Sequence, residues 1–207
     1  MVQIFLEGRE TIFIEHLIRS MWPGNTSIDF AAEAIGGWTK LHLADNKFKE
    51  NTDQGGKNLV IFDADTAQNE GGVSQRRPVL ESKREELGID FDLFLFPDNQ
   101  SDGDFESLLE RIINPTHGGL LMCFNDYETC LQRLNAGSEQ IVYKIPMRKA
   151  KIYSYVDAFP KSRRQEELFK KHDFFFDNPE FWDFSSEALN PLKSFLSRHM
   201  LSSLPTI

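Results

Sequence analysis

Cysteine is nearly missing from this chain: Cys123 and Cys130 are the only two among 207 residues. One such pair, close in sequence, is neither a disulfide framework nor a four-ligand zinc site, so a reduced, cytoplasmic protein is expected. Long apolar runs are missing too. The longest, such as 120–124, fall far below the roughly 18–20 residues that a membrane helix needs, as do shorter ones such as 94–96, and no membrane association is expected. No positively charged leader precedes the strand-like 2–6, so no signal peptide is expected either. Basic side chains are in deficit, 23 against 32 acidic ones. A chain with net charge −9 is poorly suited to coating polyanions in general. That deficit is uneven. Residues 1–143 carry 12 basic and 24 acidic side chains, whereas 144–171 carry 9 and 3. The second stretch therefore offers a local surface for phosphate, or simply a solvated helix face.

What is present is ordinary for a globular protein: 40% hydrophobic and 27% charged residues, in a chain long enough to bury a core without staples. Apolar segments at 2–6, 27–35, 59–62 and 92–96 read as strands. Helical spacing reads at 12–21 (Ile12, Phe13, Leu17, Ile18 and Met21 on one face), 39–48, 74–87 with Pro78 in the first turn, 105–113, 126–134, 162–172 and 187–200. Strands alternating with helices, and apolar nearly throughout, predict an α/β fold with a mainly parallel sheet covered on both faces. Residues 1–143 are expected to form that domain. Residues 144–207 are expected to form a basic, then aromatic-rich, mainly helical extension packed on it. Eight of the eighteen phenylalanines lie between 159 and 195, and core packing is the better account of them than base stacking.

In open α/β sheets the ligand site lies beyond the carboxyl ends of the strands. Three predicted strands deliver acids there: Glu7 after the first, Asp63 and Asp65 after the third, and the run Asp98 to Glu106 after the fourth. Carboxylates converging from distant positions suit a divalent cation, and Mg²⁺ takes one or two such oxygens plus water and phosphate. Asp102, Asp104 and Glu106 have a second reading, with Asp104 as the N-cap of a helix carrying acids in its first turn.

Together these residues resemble the Toprim domain, the metal-binding catalytic module of topoisomerases, primases and overcoming-lysogenization-defect (OLD) nucleases. The fuller pattern comprises Phe5-Leu6-Glu7-Gly8, Asp63-x-Asp65, Leu95-Phe96-Pro97-Asp98-Asn99 and Gly103-x-x-Glu106-x-Leu108-Leu109. It is similar to a prokaryotic Toprim-like branch related to the OLD nucleases, over residues 2–113. The resemblance implies a Rossmann-like fold and phosphodiester cleavage of nucleic acid with Mg²⁺ or Mn²⁺. It implies Glu7 as general acid/base, Asp63 and Asp65 as metal ligands, and Asp102, Asp104 and Glu106 in the place of a second metal cluster. It leaves room for a partner ATPase and for an assisting C-terminal base such as Lys149 or Lys151. Where the OLD-like pattern often has an acid four residues after the first Glu, this chain has Thr11, with Glu10 one place early. Arg148, Lys151, Lys161, Arg163 and Arg164 are the candidates for contacting nucleic acid.

Two rival readings stand beside this one. A Toprim-like scaffold can serve as a non-catalytic binding or regulatory module. Phe62-Asp63-Ala64-Asp65-Thr66 also resembles the haloacid-dehalogenase phosphatase motif, with Asp63 as nucleophile. That family wants Thr or Val where Ala67 stands, on its first core strand rather than after about sixty residues of α/β structure.

Overall fold

The computed structural model describes residues 1–25, 27–137 and 140–200. The chain divides into two compact units, Met1–Leu108 with Phe184–Ile207, and Leu109–Asp183. The charge boundary at 143/144 falls inside the second unit, because a change in surface charge does not mark where a core ends.

The first unit is an α/β structure built on four strands, β1 (Val2–Leu6), β2 (Phe30–Ala34), β3 (Lys57–Asp63) and β4 (Asp92–Phe96). All pair in parallel in the order β2-β1-β3-β4, a Rossmann-like arrangement. Helices α1 (Thr11–Met21), α2 (Asp45–Asp53), α3 (Val73–Leu87), α4 (Phe105–Arg111) and α8 (Asn190–Met200) belong with them. Near-continuous apolar strands are what a sheet covered on both faces requires. On one face Phe5, Val60, Phe62 and Leu95 pack with Phe48 of α2 and Leu80 of α3, and the Phe5 and Phe48 rings stack at 3.8 Å. On the other, Phe96 meets Phe105 of α4 at 5.1 Å, Phe105 meets Phe13 of α1 at 5.0 Å, and Phe94 meets Phe195 of α8 at 5.4 Å. Each such side chain contributes about 1.5–3 kcal/mol on full burial, so the strands hold the fold and leave their carboxyl ends free for polar groups.

Several sequence expectations shift locally. Phe13, Ile14, Leu17 and Ile18 form the buried stripe of α1, while Ile12 is 47% exposed. The expected helix at 39–48 is a 3₁₀ segment, Trp38–Ala44, running into α2. Pro78 is the sixth residue of α3, beyond its first turn.

The second unit contains α5 (Gly118–Asn135), α6 (Arg148–Asp157) and α7 (Arg163–Phe169). With α8 they make the C-terminal part mainly helical. Helix α5 starts well before 126, its first turn disguised by the poor helix formers Gly118 and Gly119. Ser162 caps α7 in a capping box with Gln165. The aromatic segment closes a core here. Trp182 is 1% exposed and its Nε1 donates to the Phe174 carbonyl at 2.7 Å, while the buried Tyr155 hydroxyl donates to the Phe181 carbonyl at 2.6 Å. Among the described residues, no helix is long and apolar enough to cross a membrane.

Candidate active site

The strand order places the site. From β1 the chain steps outward to β2, then returns past β1 to β3, so β1 and β3 flank the point where the direction of winding reverses. Open α/β sheets leave a crevice there, outside the carboxyl ends. Glu7 follows β1 directly and Asp63 ends β3, with Leu6 and Ile61 in register beside each other. The topology therefore brings two of the expected acids to adjacent strand ends.

Their contacts lock them together. A Glu7 carboxylate oxygen accepts the Asp63 backbone N–H at 3.3 Å, and Asp63 Oδ1 accepts the N–H of Phe105 at 2.8 Å. Gly37, at φ +105°, closes over Glu7, and a Cβ there would lie 3.1 Å from Glu7 Oε1. Burial pushes Asp63 well above the ordinary carboxylate range, and the charges of Glu7, Glu10 and Glu106 push it the same way against the Phe105 N–H. Glu7 is also pushed up by burial, with Asp65 and Glu10 adding to it and the Asp63 N–H and Arg76 opposing. Like charges held in a partly dry crevice favour protonation or a cation.

Asp65 has a different partner. Its Oδ2 accepts from Arg76 of α3 at 2.5 Å, and the Arg76 guanidinium, 7% exposed, lies 4.7 Å from the centre of the Trp38 ring. Asp65 itself adopts φ +60°, and its carbonyl accepts the Gly103 N–H at 2.8 Å. Gly71 permits this turn, because a Cβ there would fall 2.4 Å from that of Asp65.

The remaining acids divide by role. Asp102 Oδ1 accepts the Val73 N–H at 2.8 Å and so caps α3 from 29 residues away. Asp104 caps α4, its Oδ1 accepting the Ser107 N–H at 2.8 Å and the Ser107 hydroxyl at 2.5 Å. Glu106 stands in the first turn of α4, close enough for its charge to act on Asp63. Glu10 accepts the Gly8 N–H at 2.7 Å, and Thr11 opens α1. Asp102→Ala is expected to lower stability by about 1 kcal/mol, as for other lost caps, and to leave Mn²⁺ binding unchanged. A thermal melt and calorimetry check this, and lost Mn²⁺ heat would return Asp102 to the metal ligands.

The basic candidates belong to the second unit. Glu110 pairs with both Arg148 and Lys151 at 3.4 Å, and Lys151 also lies 3.9 Å from Glu128. Lys161 bonds the Asp157 and Phe159 carbonyls at 3.0 Å each. Lys149, Arg163 and Arg164 are exposed.

Sequence reasoning gave no role to Arg76 or Glu10. One signal was available for Arg76: two arginines near a helix N-terminus oppose the helix dipole, which invites the question of what holds them. The second, Arg77, bonds the Asn99 side chain at 2.6 Å and so ties the loop after β4 to α3.

Asp63 offers a carboxylate to Mg²⁺ or Mn²⁺, an ion that takes one or two such oxygens together with water and phosphate, and the Glu7 carboxylate lies beside it. Among the described residues, no three acidic, His or Cys side chains are already grouped as metal ligands. No curated protein and no solved structure matches the chain. One family does match, over residues 3–201, and it is described as Protein of unknown function (DUF3226). The chain belongs to the DUF3226 family.

Proposed function

We propose that this protein is a Toprim-like enzyme that cleaves phosphodiester bonds in nucleic acid with Mg²⁺ or Mn²⁺. The observation that carries the reading is the Glu7–Asp63 pair, two like-charged groups with raised pKa on adjacent strands at the winding reversal. When bound, the divalent ion would offset their charge and polarise the phosphoryl group. Asp63 would hold it, oriented by the Phe105 N–H, with Asp65 two residues further along the chain. Because Asp102 and Asp104 are spent on helix caps, a single ion suits these residues better than two. Glu7 then handles the proton. Burial pushes its pKa up, the direction that suits a group giving a proton to the leaving oxygen or taking one from water. The phosphatase reading fits less well, since Ala67 stands where that family wants Thr or Val and the motif follows about sixty residues of α/β structure.

A nuclease assay with Mg²⁺ or Mn²⁺ tests this. Glu7→Gln keeps an acceptor for the Asp63 N–H and is expected to fold normally, yet to lose cleavage by about 10²-fold or more. Cleavage untouched by both Glu7→Gln and chelation of the metal would overturn the reading.

Nucleic-acid binding is expected to weaken steeply with salt. Reversing charge at the exposed Arg163 and Arg164 should lower both affinity and the salt slope, measured by fluorescence anisotropy across a salt series. An unchanged slope would leave these residues as a solvated helix face.

A second reading, a cation-independent binding module, draws on one observation. Arg76 already supplies Asp65 with the positive charge that a metal would bring. Titration calorimetry with Mn²⁺ separates the two: heat that disappears in Asp63→Ala supports the enzyme, and no heat from the wild type supports the module.

A further inference from the structure

Helix α5 buries one face and opens the other. Leu131 is buried, and Leu120, Leu121, Phe124 and Glu128 are half-buried along the same side. Met122, Cys123, Asp126, Cys130, Arg133 and Leu134 are exposed, Met122 at 67% and Leu134 at 55%. The segment after the helix extends this surface. Asn135 clamps the Tyr143 backbone, donating to its carbonyl at 2.7 Å and accepting its N–H at 2.9 Å, while Ile141 and Met147 stay 83% and 69% exposed. Contiguous exposed apolar groups of this kind mark interaction surfaces, and Met, Tyr and Arg are enriched in them.

The charges on the open face identify the occupant. Asp126 and Arg133 lie on its midline two helical turns apart, about 11 Å along the axis, too far to pair within one helix. Neither has an ion-pair partner among the described residues. In two copies of a helix packed antiparallel about a twofold axis, facing residues have a constant sum of numbers, as in any isologous contact. Setting Asp126 against the partner's Arg133 also sets Arg133 against the partner's Asp126. The axis then passes between Thr129 and Cys130, and Gly137, where an added Cβ would meet nothing within 4 Å, comes opposite the partner's Met122.

We propose that α5 is a homodimer interface, packed antiparallel on α5 of a second copy, with reciprocal Asp126–Arg133 ion pairs and Cys130 at the axis. Sedimentation velocity on the full chain over a concentration series tests it. The wild type is expected to dimerise. Arg133→Asp puts like charges opposite each other twice and should raise the dimer dissociation constant at least about tenfold. The charge swap Asp126→Arg with Arg133→Asp rebuilds both pairs and should restore the dimer. A short bismaleimide should link wild-type and Cys123→Ser chains into dimers but not Cys130→Ser chains. All these positions are exposed, so the variants should keep wild-type circular dichroism. A monomeric wild type, a dimer indifferent to Arg133→Asp, or a swapped variant as dissociated as the single one would overturn the proposal.

Discussion

Asp63→Asn is expected to raise the melting temperature at neutral pH while abolishing the stabilisation that Mn²⁺ confers. The sign follows from linkage. Burial and the neighbouring acids hold the folded Asp63 carboxyl well above its ordinary range. Between that ordinary range and the raised value the folded chain binds more protons than the unfolded one, so stability falls as pH rises through the window. Above the raised value the penalty is fully present, and below the ordinary carboxylate range it is gone. Every pH unit by which folding displaces a carboxyl's titration is worth about 1.4 kcal/mol. Asn removes the charge, keeps an acceptor for the Phe105 N–H, and should therefore gain about 2–4 °C for each kcal/mol released. His199 acts with the opposite sign. Burial lowers its pKa despite the nearby Asp92, so the unfolded chain takes up that proton first as pH falls. The comparison is therefore variant against wild type at each pH, where the His199 contribution cancels. Mn²⁺ at about a hundred times its dissociation constant would stabilise the wild type by about 2.7 kcal/mol. Asp63→Asn should show none of this. A melting temperature that does not rise, or an equal Mn²⁺ effect in both proteins, would remove Asp63 from the site.

Arg76→Leu is expected to be the most destabilising single change near the site. It keeps apolar contact with Trp38 but leaves the Asp65 carboxylate, 30% exposed, beside the acid of Glu7 without its counter-charge. Breaking a buried pair by removing one partner costs about 3–5 kcal/mol, and the residual exposure of Asp65 places this case at about 2–4 kcal/mol. Arg76→Lys should recover little, since an ammonium lacks both the fork and the flat face that rests on Trp38. Arg76→Leu with Asp65→Asn should recover most of the loss, because the uncompensated charge is gone. Urea unfolding of the two singles and the double measures the coupling directly. A double variant no more stable than Arg76→Leu alone would mean that Arg76 acts through packing and not through Asp65.

The strands and their terminal acids are local properties, and a single sequence carries them. β1, β3 and β4 are near-continuous apolar runs, and such runs read as buried parallel strands because their signal lies within a handful of neighbours. Glu7 and Asp63 stand where those runs end, so their arrival at one edge of a parallel sheet follows from strand direction alone. The aromatic core of the second unit was legible for the same reason. What the acids pair with was not legible. Asp65 and Arg76, Asp102 and Val73, and Asp63 and Phe105 are 11, 29 and 42 residues apart, and each pairing depends on how α3 and α4 lie against the sheet. Asp63, Asp65 and Asp102 are the same residue type at the same kind of loop. Only distance makes the first a crowded acid, the second one half of an ion pair and the third a helix cap. Sequence by itself determined the parallel α/β scaffold and which strand ends carry charge, because hydrophobic periodicity is written along the chain. The tertiary structure alone decided which of those charges find partners, because electrostatic and hydrogen-bond energies fall off over a few ångströms that packing sets.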